Sequence, residues 1–133
     1  MPIIHGKNTF STTEEFLETL GDREKEFSKL EKSLKRNCHD FHEHIKQKRT
    51  ERTASKHSQV IYLFIDFLSW DTEVTKYEDI TRGIANSKFR SWYQRKVGDR
   101  TETELKSSIK MFFKFLDTEK KITCPEVLKS FSN

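Results

Sequence analysis

An all-α fold is what this sequence predicts, and three observations predict it. Apolar residues recur at helical spacing along most of the chain, as in Phe27, Leu34 and Phe41, or Leu105, Ile109 and Phe113. The β-branched alternation that marks strands is nearly absent. Turn punctuation is sparse, with four Gly and two Pro in 133 residues, so long elements are expected. Eleven Phe, two Trp and three Tyr supply large buried areas in a chain that is 35% charged. The expected architecture is a four-helix bundle from about 53 to 131, behind an N-terminal helical hairpin or long helix. A division follows at the middle of the chain: residues 1–50 as an appendage and 51–133 as the main domain.

Residues 1–10 read as an unanchored leader. Ser11 or Thr12 offers an N-cap, with Glu14 and Glu15 in the first turn, where the helix dipole favours acids. Gly21-Asp22 reads as a stop and a fresh cap. Beyond it Leu20, Phe27, Leu34 and Phe41 fall at intervals of seven, supported by Leu30, Cys38 and Ile45, which predicts an amphipathic helix over about 22–49.

The stretch "KQKRTERTASKHS", residues 46–58, interrupts the apolar pattern with Lys46, Lys48, Arg49, Arg52 and Lys56 against Glu51 alone. "VIYLFIDFLSW" follows, apolar nearly all round. Val60, Ile61, Phe64, Phe67 and Leu68 share one face, while Leu63 and Trp70 lie on another, so burial between two layers is expected. The stripe through Leu20, Phe27, Leu34 and Phe41 is expected to cover part of the second face (Leu63, Phe67, Trp70), with Met111 and Phe115. After an acidic connector, "RGIANSKFRSWYQRK" reads as a helix anchored by Ile84, Phe89, Trp92 and Tyr93. Gly98-Asp99 marks a turn, Thr101 caps the next helix, and Pro125 opens a short last one at its favoured first position.

Composition excludes several classes. Cys38 and Cys124 lie far apart without framework spacing, so a reduced, cytoplasmic protein is expected. No apolar run approaches the ~18 residues of a membrane span, and the N-terminus lacks a signal-peptide core, so no membrane partner is expected. "CHDFHEH", residues 38–44, places Cys38 and His42 on one helix face, but His44 points away and Cys38 falls inside the apolar stripe. No metal is assigned. No phosphate loop, nucleophile elbow or paired-cysteine motif occurs, so neither catalysis nor a cofactor is expected.

Charge is polarised beneath a net +4. From 82 to 114 nine basic residues face three acids, leaving +6, whereas 64–81 carries −4. One basic side is the footprint of a phosphate-backbone binder. On the helix opened by Thr101, the flank beside the core stripe carries Thr103, Lys106, Ser107, Lys110 and Lys114. The start of the 53–69 helix has the same chemistry in Arg52, Thr53, Ser55, Lys56, His57 and Gln59. Such donors suit phosphates and base edges.

The segment from about 52 to 128 resembles the core-binding, SAM-like N-terminal domain of tyrosine recombinases (phage-type integrases). The resemblance rests on the spacing Thr53, His57, Ile61, Phe64, Phe67, Leu68, on Ile80-Thr81, on Thr101 followed by "IKMFFKFL" at 109–116, and on Ile122, Cys124 and Pro125. His57 stands where the family usually has Tyr, Lys106 where an apolar residue is frequent, and no Asn precedes Pro125. The family's catalytic Arg, His-x-x-Arg and Tyr have no counterpart in this sequence, and residues 1–50 lie outside the likeness.

The resemblance implies non-catalytic binding of double-stranded DNA in a recombination or integration context. Contacts would come from Arg52, Thr53, Ser55, Lys56 and Gln59 on the first helix and from Thr101, Thr103, Lys106, Ser107 and Lys110 on the third. A recombinase catalytic domain or another protein would be a further partner. The alternative reading is a helical protein–protein interaction module without nucleic acid.

Overall fold

Helical periodicity and a near absence of breakers yield helices throughout. The computed structural model describes residues 13–98 and 100–130, and the side chains from residue 21 on, those of Leu128 and Ser130 excepted. The 1–10 leader, the caps at Ser11 or Thr12, the side chain of Leu20 and Asp99 of the expected turn lie outside the described residues. Among those described there are helices and connectors and no strand, which is the all-α class the sequence predicts.

The first helix, α1, spans Thr13–Lys48. It runs straight through Gly21, so the expected stop there is wrong and the N-terminal element is one long helix rather than a hairpin. A glycine inside a helix costs only ~1 kcal/mol against alanine, less than a well-buried stripe returns. Nothing lies within 4 Å of a Cβ built on Gly21, so no close packing demands a glycine. Phe27, Leu30, Leu34, Cys38, Phe41 and Ile45 are buried, as the heptad spacing predicts.

Only Arg49 and Thr50 separate α1 from α2, Glu51–Asp71. Thr50 adopts extended backbone and its Oγ1 accepts the Thr53 amide at 3.1 Å, satisfying one orphan donor of the first turn. Most of the basic stretch expected to interrupt the pattern is therefore helical. Its exposed residues carry no apolar period, yet the cap and the buried Ala54, His57 and Ser58 hold it in the helix.

Arg23 closes the far end of α2. Its Nη2 donates to the carbonyls of Leu68 (3.1 Å), Thr72 (2.7 Å) and Val74 (3.1 Å), and its Nη1 to Ser69 (3.1 Å). The guanidinium carbon lies 4.6 Å from the centre of the Phe27 ring. A cation here satisfies carbonyls that a helix C-terminus leaves open. The connector then turns through a 3₁₀ segment, Tyr77–Asp79, whose Tyr77 hydroxyl lies 2.6 Å from Ser33 Oγ and accepts from Asn37 Nδ2 at 2.9 Å on α1.

A π-helical turn, Ile84–Lys88, leads into α3, Phe89–Lys96. Gly98 has φ +142°, a conformation that side chains rarely adopt, and it re-aims the chain. Thr101 then caps α4, Glu102–Glu119, accepting the Glu104 amide at 3.1 Å. The last helix, α5, is Pro125–Ser130.

One core joins all of these. Phe64 of α2 meets Phe89 at 5.1 Å between ring centres and Phe113 of α4 at 6.0 Å. On the other flank of α4, Phe41 of α1 meets Phe112 at 5.3 Å and Phe115 at 5.6 Å. The expectation that α1 covers the second apolar face thus holds for Phe115. It fails for Phe67, which α3 covers through Phe89 (5.6 Å) and Trp92 (5.7 Å). It fails also for Trp70, which stays 80% exposed in the last turn of α2.

Candidate nucleic-acid interface

The geometry of the candidate face is set by how α2 and α4 meet. His57 Nδ1 lies 2.7 Å from Ser108 Oγ, and Phe64, two turns on, meets Phe113. Later residues of one helix therefore face later residues of the other. The two run in the same sense, and their N-terminal turns lie side by side. The two basic, hydroxyl-rich segments read from the sequence are thus brought to one end of the bundle.

Placement within that end varies. Arg52, Lys56 and Gln59 on α2 are exposed, as are Thr101, Thr103 and Ser107 before and on α4, while Lys110 is half-buried. Thr53 and Ser55 are half-buried. Thr53 Oγ1 accepts from Thr50 Oγ1 at 3.0 Å, and the Ser55 carbonyl accepts from Ser58 Oγ at 3.2 Å. The Thr101 hydroxyl already accepts a backbone amide as the α4 cap, which leaves its proton for an outside acceptor. Lys106 lies 2.9 Å from Glu102. His57 departs most from expectation. It is buried against Ser108, and its place on the same helix face as Ile61 and Phe64 removes it from any surface contact.

Electrostatics at this end favour an anion. Glu102 is shared between Arg90 and Lys106, and its carboxyl is held below the usual range by the Lys106 hydrogen bond first and then by Arg90. Glu51 is likewise engaged by His42 at 3.1 Å and Lys46 at 3.6 Å, the His42 bond being the main cause of its lowered pKa. Arg49, Arg52, Lys56 and Lys110 have no carboxylate partner among the described residues. The acids present are satisfied within the fold, and a cationic surplus faces out.

Two contributors escaped the list drawn from the sequence. Burial first, and then Lys56, Arg49 and Arg100, hold the His57 pKa below its usual value. Arg49 sat in a stretch read as a break, and Arg100 in a turn ahead of the capped helix. The usable signal was that each immediately precedes a capping threonine, Thr50 and Thr101.

The "CHDFHEH" stretch disperses around α1. Cys38 is fully buried with its thiol pushed up to about 12 by burial, and Sγ lies 3.7 Å from the Ser58 carbonyl. His42 bridges Ser58 and Glu51, while the His44 ring packs 5.1 Å from Phe115. Among the described residues no group of three or more His, Cys, Asp or Glu is placed to hold a metal ion. Nor is any described helix long and apolar enough to cross a membrane.

Compared with known proteins, the chain matches no protein-family model, no curated protein and no solved structure.

Proposed function

We propose that this chain binds double-stranded DNA without catalysing a reaction on it, in the manner of a recombinase core-binding domain in a recombination or integration context. One observation carries the reading: the starts of α2 and α4 lie together, and Arg52 and Lys56 there, with Lys110 further along α4, have no carboxylate partner among the described residues. Lysine and arginine engage phosphates and fix the register, while Gln59, Thr103 and Ser107 supply uncharged donors and acceptors beside them. Chemistry on the DNA, and any cleavage, belongs to a partner.

Phosphate contacts displace condensed counterions, so the affinity must depend on salt. Four contacts correspond to a slope of about −3.6 in log K against log salt, a loss of roughly 100-fold between about 50 and 200 mM. A mobility-shift titration over that range tests the reading. A complex that weakens with such a slope supports it; no complex with any duplex in low salt sinks it.

Trp70, 80% exposed, favours the second reading of a protein-interaction module. That reading predicts a partner whose binding is insensitive to salt and lost on Trp70→Ala, with the lysine variants unaffected.

A further inference from the structure

Three sides of α2 are committed to the fold. Cys38 of α1 meets it at the Ser58 carbonyl, 3.7 Å from Sγ, and α4 meets it at His57 and Phe64. On a third side Phe67 lies 5.7 Å from Trp92 of α3. The fourth side faces out, and one stripe runs along it: Arg52, Lys56, Gln59, Leu63, Asp66 and Trp70, all exposed except the half-buried Leu63. At about 100° per residue these six fall within an arc of about 80°. The stripe is ordered by charge, with two cations at its start, an apolar residue and an amide at its middle, and an acid and an indole at its end. Arg52, Lys56 and Asp66 enter no ion pair among the described residues. Trp70 is 80% exposed, and a tryptophan presented in this way is the residue type that anchors interfaces.

The spacing of the stripe carries a two-fold. Arg52 stands as far before residue 61 as Trp70 stands after it, and the same holds for Lys56 with Asp66 and for Gln59 with Leu63. We infer that this face of α2 pairs with the same face of a second copy of the chain, antiparallel about an axis beside residue 61. In that register each Lys56 meets the partner's Asp66, each Arg52 stacks on the partner's Trp70, and Gln59 packs on Leu63 at the centre. Every contact occurs twice, as an isologous interface requires. Parallel pairing would set Lys56 against Lys56 and Asp66 against Asp66, so charge selects the antiparallel arrangement. The stripe is about 27 Å long and one helix face wide. That is less than the about 1,200 Å² of a standard interface, so the dimer is reversible, with a dissociation constant on the order of 0.1 mM. The pairing does not rest on the DNA-binding reading, but it uses Arg52, Lys56 and Gln59, which that reading also uses. Self-association and duplex binding therefore exclude each other.

Sedimentation equilibrium of the full chain in low salt, from about 0.01 to 1 mM, tests the pairing and should show a monomer–dimer equilibrium. Lys56→Glu and Asp66→Lys should each weaken the dimer by at least ~10-fold, since each sets like charges opposite twice. The two changes combined should restore it to within about threefold of the wild type, because residues 56 and 66 lie about 15 Å apart on their own helix and can compensate only across the axis. Trp70→Ala should weaken the dimer as well. All these side chains are exposed, so the thermal melts should not move. A chain that stays monomeric to about 1 mM, a dimer indifferent to the single reversals, or a double variant that does not recover overturns the pairing. A dimer that saturating short duplex fails to dissociate overturns the exclusion. Failure of every duplex to bind removes the DNA reading and leaves the charge exchange to decide the pairing alone.

Discussion

Phe41→Ala tests whether α1 is an integral part of the fold. Phe41 is 1% exposed and lies between Phe112, edge-on at 5.3 Å, and Phe115 at 5.6 Å, so truncation empties a site walled on the far side by α4. Removing a buried phenylalanine costs about 3–5 kcal/mol, of which each aromatic pair accounts for about 0.5–1.5. A domain of this kind holds only about 5–15 kcal/mol in total. The variant should thus lose about a fifth or more of its stability, and its thermal midpoint should fall by roughly 10–20 °C. Urea melts followed by circular dichroism and by tryptophan fluorescence measure it, and the two probes should shift together. A loss under ~1 kcal/mol, or a helical signal that melts apart from the fluorescence, would refute the packing of α1 on α4. By the same logic a fragment starting at residue 49 should lose its cooperative melt, because Phe27, Leu30, Leu34, Cys38, Phe41 and Ile45 belong to the shared core.

Arg23→Met keeps the stem over Phe27 but deletes four bonds to the carbonyls that end α2. Charge-assisted bonds of this kind contribute about 1.5–3 kcal/mol, so a loss of about 2 kcal/mol in denaturant melts is expected, and an unchanged midpoint would contradict the capping role. His57→Gln should flatten the acid limb of stability. The folded pKa of His57 lies below its unfolded value near 6.5, so the unfolded chain binds the extra proton and wild-type stability falls as pH drops through about 6.5 toward the folded value. Equal pH slopes in the two proteins would show that the ring is not held neutral. Lys56→Ala and Lys110→Ala should each leave the melt within ~0.5 kcal/mol, weaken duplex binding, and reduce the salt slope by about 0.9. Weakening that persists undiminished at high salt would mean they do not work through phosphate.

The buried half of this molecule was legible in the sequence because burial leaves a period. The stripes through Phe27 and Phe41, and through Leu105 and Phe113, fall on the helix faces that the structure buries. Caps were legible where a threonine precedes an acid-rich first turn, as at Thr101. Gly21 misled because a local breaker is weak against a long buried stripe, and residues 51–58 misled because an exposed helical turn of basic residues has no apolar signal. The meeting of His57 with Ser108 depends on two helices lying parallel, which no spacing within one helix encodes. Trp70 shows the reverse failure, an apolar residue at a core-like spacing that the fold leaves 80% exposed.

The most direct test of the DNA-binding face is a map of backbone amide shifts as duplex is added to labelled protein in low salt. The perturbed amides are expected to fall within 49–59 and 100–110, the first halves of α2 and α4 with the residues just before them, and to return toward their free positions as salt is raised. Perturbations clustered on residues 22–45 of α1, or around Trp70 at the opposite end of α2, with 52–59 and 101–110 unmoved, would contradict the DNA-binding reading.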